Sequence, residues 1–162
     1  MNAIASVDEN WGIGYQGELL ARVSADLRRF KALTMGHPVI LGRKTLATFP
    51  GGRPLPGRDN LIMSTSMETA PEGARVFRDL GSLLRAARSD SFVIGGETVY
   101  RQLLPYCDTA YLTLFHRAFQ ADAFFPDLDA DPAWTLSGEE GPFETEEGLS
   151  YTFRTYRRRE GL

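Results

Sequence analysis

The segment VSADLRRFKAL, residues 23–33, puts a carboxylate where a charge is costly to keep. Laid out at roughly 100° per residue, Asp26 shares one stripe with Leu27, Phe30 and Leu33, while Arg28, Lys31 and Ala32 fall on the other side. Ser24 reads as the helix N-cap. Asp26 then lies in the first turn, where exposed N–H groups and the positive end of the macrodipole favour an acid. Burial on an apolar face demands more than that. Either a partner lies elsewhere in the chain or a ligand supplies one.

Two further stretches carry chemistry of another kind. ILGRKTLATF (40–49) and VIGGETVYRQLL (93–104) each read as a strand, a glycine turn and a helix. Such turns bring several backbone N–H groups to one point at the carboxyl edge of a sheet, where anions bind. Arg43, Lys44 and Thr45 add charge and a hydroxyl to the first, and Gly95–Gly96 lets a ligand approach the backbone of the second. Either turn alone occurs in many α/β domains; the pair points to a nucleotide cofactor. Gly12, Gly14 and Gly17 spell a literal G-x-G-x-x-G, but ELLARV separates them from the next helix, so they lack the helix N-terminus that makes a dinucleotide fingerprint work. A glycine-hinged loop over a site is the alternative. Cys107, His37 and His116 are too few and too scattered for a disulfide framework or a metal site, and no metal is expected.

These groups need a frame. Apolar runs at 2–7, 37–42, 60–64, 92–96 and 110–115 read as buried strands, separated by helical patterns at 24–35, 43–49, 79–89 and 97–104. Strands alternating with helices predict an α/β fold: a central, mostly parallel sheet with helices on both faces. WTLSG and the alternating YTFRTYRR add an antiparallel C-terminal hairpin, making the sheet mixed at one edge. The stretches 8–23 and 50–59 read as long loops, which in compact domains are usually functional. With 162 residues, 43% of them hydrophobic, one domain over 1–162 is expected. Eighteen basic against 21 acidic residues argue against nucleic-acid binding. No signal peptide or long apolar run is visible, so a cytoplasmic protein without membrane contact is expected.

DENWGIG, ADLRRFKALTMGHPVILGRKT, RPLPGRDN, VIGGETVY, YLT and DAFFPD, in this order and spacing, resemble the dihydrofolate reductase family over essentially the whole chain. The resemblance implies reduction of 7,8-dihydrofolate to tetrahydrofolate, with NADPH as cofactor, hydride transfer to pterin C6 and protonation at N5. Asp26 matches the family's active-site carboxylate, which hydrogen-bonds the pterin 2-amino group and N3. Leu27, Phe30 and Leu55, with Ile4 and Ala5, match positions that wall the pterin and aminobenzoyl rings. Arg58 matches the arginine that pairs with the glutamate α-carboxylate, and Thr113 the threonine linked to the acid and, through water, to the pterin. Ile94 and Tyr100 match residues lining the nicotinamide region. Gly42, Arg43, Lys44, Thr45, Gly95 and Gly96 match the phosphate-binding turns, and Ser64, Thr65, Ser66 and Arg78 the adenosine end. Ala5, Ile13, Gly14, Thr98 and Val99 complete the cofactor set. Gly14 belongs to the loop that closes over the nicotinamide, and Asp122 matches a residue that latches it.

The chain departs from the pattern at three places. Ala21 and Ser24 stand where the family commonly carries Trp and Pro, and Thr98 where some members have a phosphate-binding arginine, which shifts cofactor binding onto Arg43 and Lys44. The competing readings are a related NADPH reductase of a ribosylated aminopyrimidine and a non-catalytic nucleotide-binding module. Asp26 and Arg58 argue against the first. A monomer with a small-molecule substrate is the expectation.

Overall fold

The computed structural model describes residues 1–160. In chain order its elements are β1 (Asn2–Val7), β2 (Gly12–Tyr15), β3 (Glu18–Leu19), α1 (Ser24–Thr34), β4 (Val39–Gly42), α2 (Arg43–Ala47), β5 (Asn60–Met63), β6 (Ala74–Phe77), α3 (Leu80–Ala86), β7 (Phe92–Gly95), α4 (Glu97–Leu103), β8 (Thr109–Phe115), β9 (Ala123–Phe124), β10 (Trp134–Glu144) and β11 (Ser150–Arg158). Eight strands form one sheet in the order β10-β11-β8-β1-β7-β4-β5-β6. Every pairing from β8 to β6 is parallel, and β11 runs antiparallel to both of its neighbours.

Alternation along the strands explains the layers. Ala3, Val7, Ile40, Leu61 and Val93 enter one core with α3 and α4, through Leu83, Val99, Tyr100 and Leu103. Ile4, Val39, Leu41, Ile62 and Phe92 enter the other with Leu46 of α2 and Phe30 and Leu33 of α1. Side chains one residue apart in a strand point to opposite faces, so a run that is apolar throughout must be covered on both.

Several elements differ from the sequence reading. Ser24 is the first helical residue and makes no cap; the buried Val23 holds the N-cap position. Leu27 is 42% exposed, so the covered face of α1 is narrower than the stripe drawn from the sequence and runs through Asp26, Phe30, Leu33 and Thr34. The 8–23 stretch is not all loop: β2 pairs with β3 and with the distant β9 in a second, three-stranded sheet. β6 is an edge strand that is partly exposed along its length, so it carries no continuous apolar run. β10 continues through the acidic stretch to Glu144 because two register shifts absorb its irregular residues.

Candidate active site

Asp26 is held by the two strands beneath α1. Ser6 of β1 and Thr113 of β8 are partners in the parallel ladder, so their side chains stand next to each other on one face. The Thr113 hydroxyl donates to Asp26 Oδ1 at 2.5 Å, and the Ser6 hydroxyl donates to Oδ2. Burial pushes the Asp26 carboxyl above its ordinary value, while the two hydroxyls and the positive charge of Arg29 pull the other way. Of the alternatives posed by its position, the chain therefore supplies partners of its own. Both are neutral, and a carboxylate has about four lone-pair sites, so it retains capacity for further donors.

A cleft of about 830 Å³ crosses the carboxyl ends of the parallel strands. Ala5 and Ser6 follow from β1, Ile94, Gly95 and Gly96 from β7, Gly42 to Thr45 from β4, Ser64 to Ser66 from β5, and Arg78 from β6. Strand order thus lays out the wall: apolar groups over β1 and β7, then glycine turns, then hydroxyls and cations. The two strand-to-helix turns are neighbours because β4 pairs with β7. They pack so closely that a Cβ on Gly95 would meet Thr45 Oγ1 at 3.1 Å and one on Gly42 would meet Val99 Cγ2 at 3.2 Å. Gly95 also has a φ of +144°, which side chains rarely adopt. Ile13, Gly14, Thr98 and Tyr100 line the same cleft, so it holds every residue assigned to the cofactor from the sequence. Arg78 is tied down by donating to the carbonyls of Thr65 (3.5 Å) and Met67 (3.2 Å), whereas Arg43 and Lys44 supply charge at the first turn.

The substrate candidates gather beside this cleft. Ile4, Phe30, Leu55 and Ile94 share one apolar cluster. Tyr100 is buried and donates its hydroxyl to the Ile4 carbonyl at 2.6 Å, tying α4 to β1; burial drives its phenol well above the ordinary range, so it stays protonated. Leu27 stands exposed at the edge of α1. Arg58 donates from Nη1 to Thr34 Oγ1 (3.1 Å) and from Nε to the Pro56 carbonyl (2.9 Å). Its loop is organised by Asn60, which is fully buried, accepts from the Leu55 N–H (3.0 Å) and donates to the carbonyls of Leu55 and Arg58 (both 2.9 Å). Gly57 in that loop has a φ of +74°, and a Cβ there would strike Met35 Sδ.

Asp122 is joined to β2 and to the turn that follows it: its N–H donates to the Gly14 carbonyl (3.0 Å), and its carboxylate accepts from the Gln16 N–H (3.1 Å). The buried Asp8 accepts from the N–H groups of Asn10 (2.9 Å), Gly12 (2.8 Å) and Phe119 (2.9 Å), fixing the start of the same segment. Sequence reasoning missed Ser6, Asp8 and Asn60. Asn60 carried a faint signal, a polar residue at the head of an apolar run. Ser6 depends on residues far away in the chain, and Asp8 ties its own turn to the distant Phe119. Among the described residues no cluster of His, Cys, Asp and Glu could hold a metal, and no helix is long and apolar enough to cross a membrane.

The arrangement can bind an extended anionic ligand along the turns and hold a carboxylate against a second, flat ligand at the apolar end. The family model described as dihydrofolate reductase matches residues 1–158. The dihydrofolate reductase of Bacillus subtilis is 34% identical over 158 residues, covering 96% of this chain and 93% of its own. That of Mycobacterium leprae is 39% identical over 155 residues, 90% of each. A solved dihydrofolate reductase from Enterococcus faecalis, complexed with NADP(H) and RAB-propyl, superposes with a TM-score of 0.86 at 32% identity, covering 98% of this chain and 96% of that one. Whole-length agreement in sequence and in backbone, on a chain whose strand order lays an acid beside paired glycine turns, has one consequence: this chain belongs to the dihydrofolate reductase family.

Proposed function

We propose that this chain reduces 7,8-dihydrofolate to 5,6,7,8-tetrahydrofolate with NADPH, and that Asp26 is its catalytic carboxylate. The observation that carries the reading is the carboxylate itself, partly buried, braced at both oxygens and set next to the apolar end of the cleft. The wall of the cleft fits an NADPH: apolar side chains for a nicotinamide, backbone turns and Arg43 and Lys44 for phosphates, and Ser64, Thr65, Ser66 and Arg78 for the adenosine end. When bound, the cofactor supplies the hydride that pterin C6 accepts.

The chain's own groups do the rest. Ala5, Ile94 and Tyr100 wall the apolar end and exclude water from the reacting face, while Ile4, Phe30 and Leu55 flank the pterin and the ring that follows it. Asp26 accepts from the pterin N3 and 2-amino groups, and that contact favours its ionised form against the desolvation that opposes it. The negative charge in turn raises the proton affinity of the pterin, whose N5 takes a proton from water. Thr113 orients the carboxylate. Arg58, on its Asn60-braced loop, pairs with the substrate's glutamate α-carboxylate in a bidentate contact. Asp122 holds β2 and Gly14 against the cleft. The protein acts on this small molecule as a cytoplasmic monomer, a single domain over 1–162, without nucleic-acid or membrane partners; its slight acidic excess supports the exclusion of polyanions.

Oxidation of NADPH on adding dihydrofolate, followed by absorbance, tests the activity. No dihydrofolate-dependent oxidation would refute it, and sedimentation at working concentration checks the monomer.

A further inference from the structure

We propose that Ser6 is a positioning residue for the Asp26 carboxylate, the second half of a hydroxyl pair that fixes the plane in which the acid meets its substrate. The inference rests on the reading of Asp26 as the substrate's partner and adds to it a residue that the sequence did not single out.

Three observations carry it. Ser6 and Thr113 are register partners on adjacent parallel strands, so one ladder step delivers two hydroxyls side by side to the same helix residue. The hydroxyls divide the carboxylate between them, Thr113 on Oδ1 and Ser6 on Oδ2. Ser6 also lines the cleft, next to Ala5, so of the three groups it is the one on the cleft wall.

The division matters physically. A carboxylate held at one oxygen still turns about its final torsion, which is broad for aspartate. Held at both, its plane is set, and one lone-pair site on each oxygen remains for a paired donor. A pterin edge offers two parallel N–H donors, and such a contact rewards an acceptor whose plane is fixed before binding. Serine suits the place because its hydroxyl donates to the acid while the side chain stays small against the cleft wall.

The electrostatic surroundings leave this role to hydroxyls. β1 brings no ionisable side chain beneath Asp26, and β8 brings only Tyr111. Among the described residues the cation acting on the acid is Arg29 of the same helix. Its guanidinium lies 4.4 Å from the ring centroid of Phe153 on β11 and 6.0 Å from that of Tyr111, and is further influenced by Glu140 of β10. Arg29 contributes charge and the two hydroxyls contribute geometry.

Ser6→Ala and Ser6→Thr test the proposal. Two readouts are needed: the titration of the Asp26 carboxyl carbon by NMR in the protein without substrate, and the steady-state constants for dihydrofolate. Ser6→Ala should move the carboxyl titration upward, because a donor to the charged form is gone. It should raise KM by roughly 2- to 10-fold, the range of one net hydrogen bond, with a smaller change in kcat. Ser6→Thr keeps the hydroxyl and should restore both. A Ser6→Ala variant with the parent's carboxyl titration and KM overturns the proposal. A shifted titration with unchanged dihydrofolate constants overturns it as well, because the pairing then does not set how the acid meets its substrate. Failure of Asp26 as the substrate's partner is read separately, as dihydrofolate constants unchanged in Asp26→Asn.

Discussion

Replacing Asp26 with asparagine separates a helix-end charge from a working carboxylate. Asparagine is nearly isosteric, and the hydroxyls of Ser6 and Thr113 are as able to accept as to donate, so one of them can turn to meet the new N–H and leave no group unpaired. Substrate binding has no such freedom. One of the two contacts to the pterin edge changes from charged acceptor to donor, which removes a charge-assisted hydrogen bond of about 1.5–3 kcal/mol and lowers kcat/KM at neutral pH by roughly 10- to 150-fold. The loss should shrink as pH falls, since an acidic medium supplies a pterin already protonated at N5.

Stability should move the other way. Burial raises the folded-state value of this carboxyl above its ordinary 3.8, so the folded protein binds a proton at pH values where the unfolded chain has released it. Ionised Asp26 therefore weighs against folding, and the burden grows as pH rises from the ordinary value through the raised one. Asparagine carries no such burden, and the variant's urea midpoint at neutral pH should equal or exceed the parent's. A carboxylate that merely complemented the helix end would give the reverse, a stability loss of about 0.3–1 kcal/mol with turnover intact. Dihydrofolate turnover across pH, measured together with urea unfolding of both proteins, decides between them. Parental turnover at neutral pH with a lowered midpoint would refute the catalytic assignment.

Arg58→Leu should weaken dihydrofolate by roughly 1.5–3 kcal/mol and leave a pterin lacking the glutamate nearly unaffected; equal losses on both would remove Arg58 from the substrate tail. Arg43→Ala should raise KM for NADPH far more than for NADH, because the 2′-phosphate is the charge that only NADPH carries, and equal effects would move Arg43 to the shared diphosphate. Asn60→Ala strips three close hydrogen bonds from a buried position and should cost about 2–4 kcal/mol in chemical unfolding, with a raised dihydrofolate KM as the Leu55–Arg58 loop loosens. An unchanged KM in that variant would mean that the loop keeps its shape without Asn60.

What could be read from the chain depended on how local each feature's cause is. β1, β4, β5, β7 and β8 were legible because burial on both faces leaves continuous apolar runs, and that condition is written within each strand. β6, Ala74–Phe77, is partly exposed along its length and leaves no such run. β2, β3 and β9 are short, and the pairing of Gly12 with Phe124 that defines their sheet has no local trace. The same divide runs through the site. Gly42–Thr45 and Gly95–Gly96 are contiguous segments whose turn, charge and helix start adjoin in sequence, so they announced an anion site before any fold was known. The bracing of Asp26 could not be seen that way. It depends on the parallel register of β1 with β8, which brings Ser6 opposite Thr113, and on α1 crossing both strands at that step. A one-residue slip of that register would send one hydroxyl to the opposite face of the sheet. The alternation that buries Ile4 on the α1 side and Ala3 and Val7 on the other therefore also fixes which face of the sheet presents the two hydroxyls to Asp26.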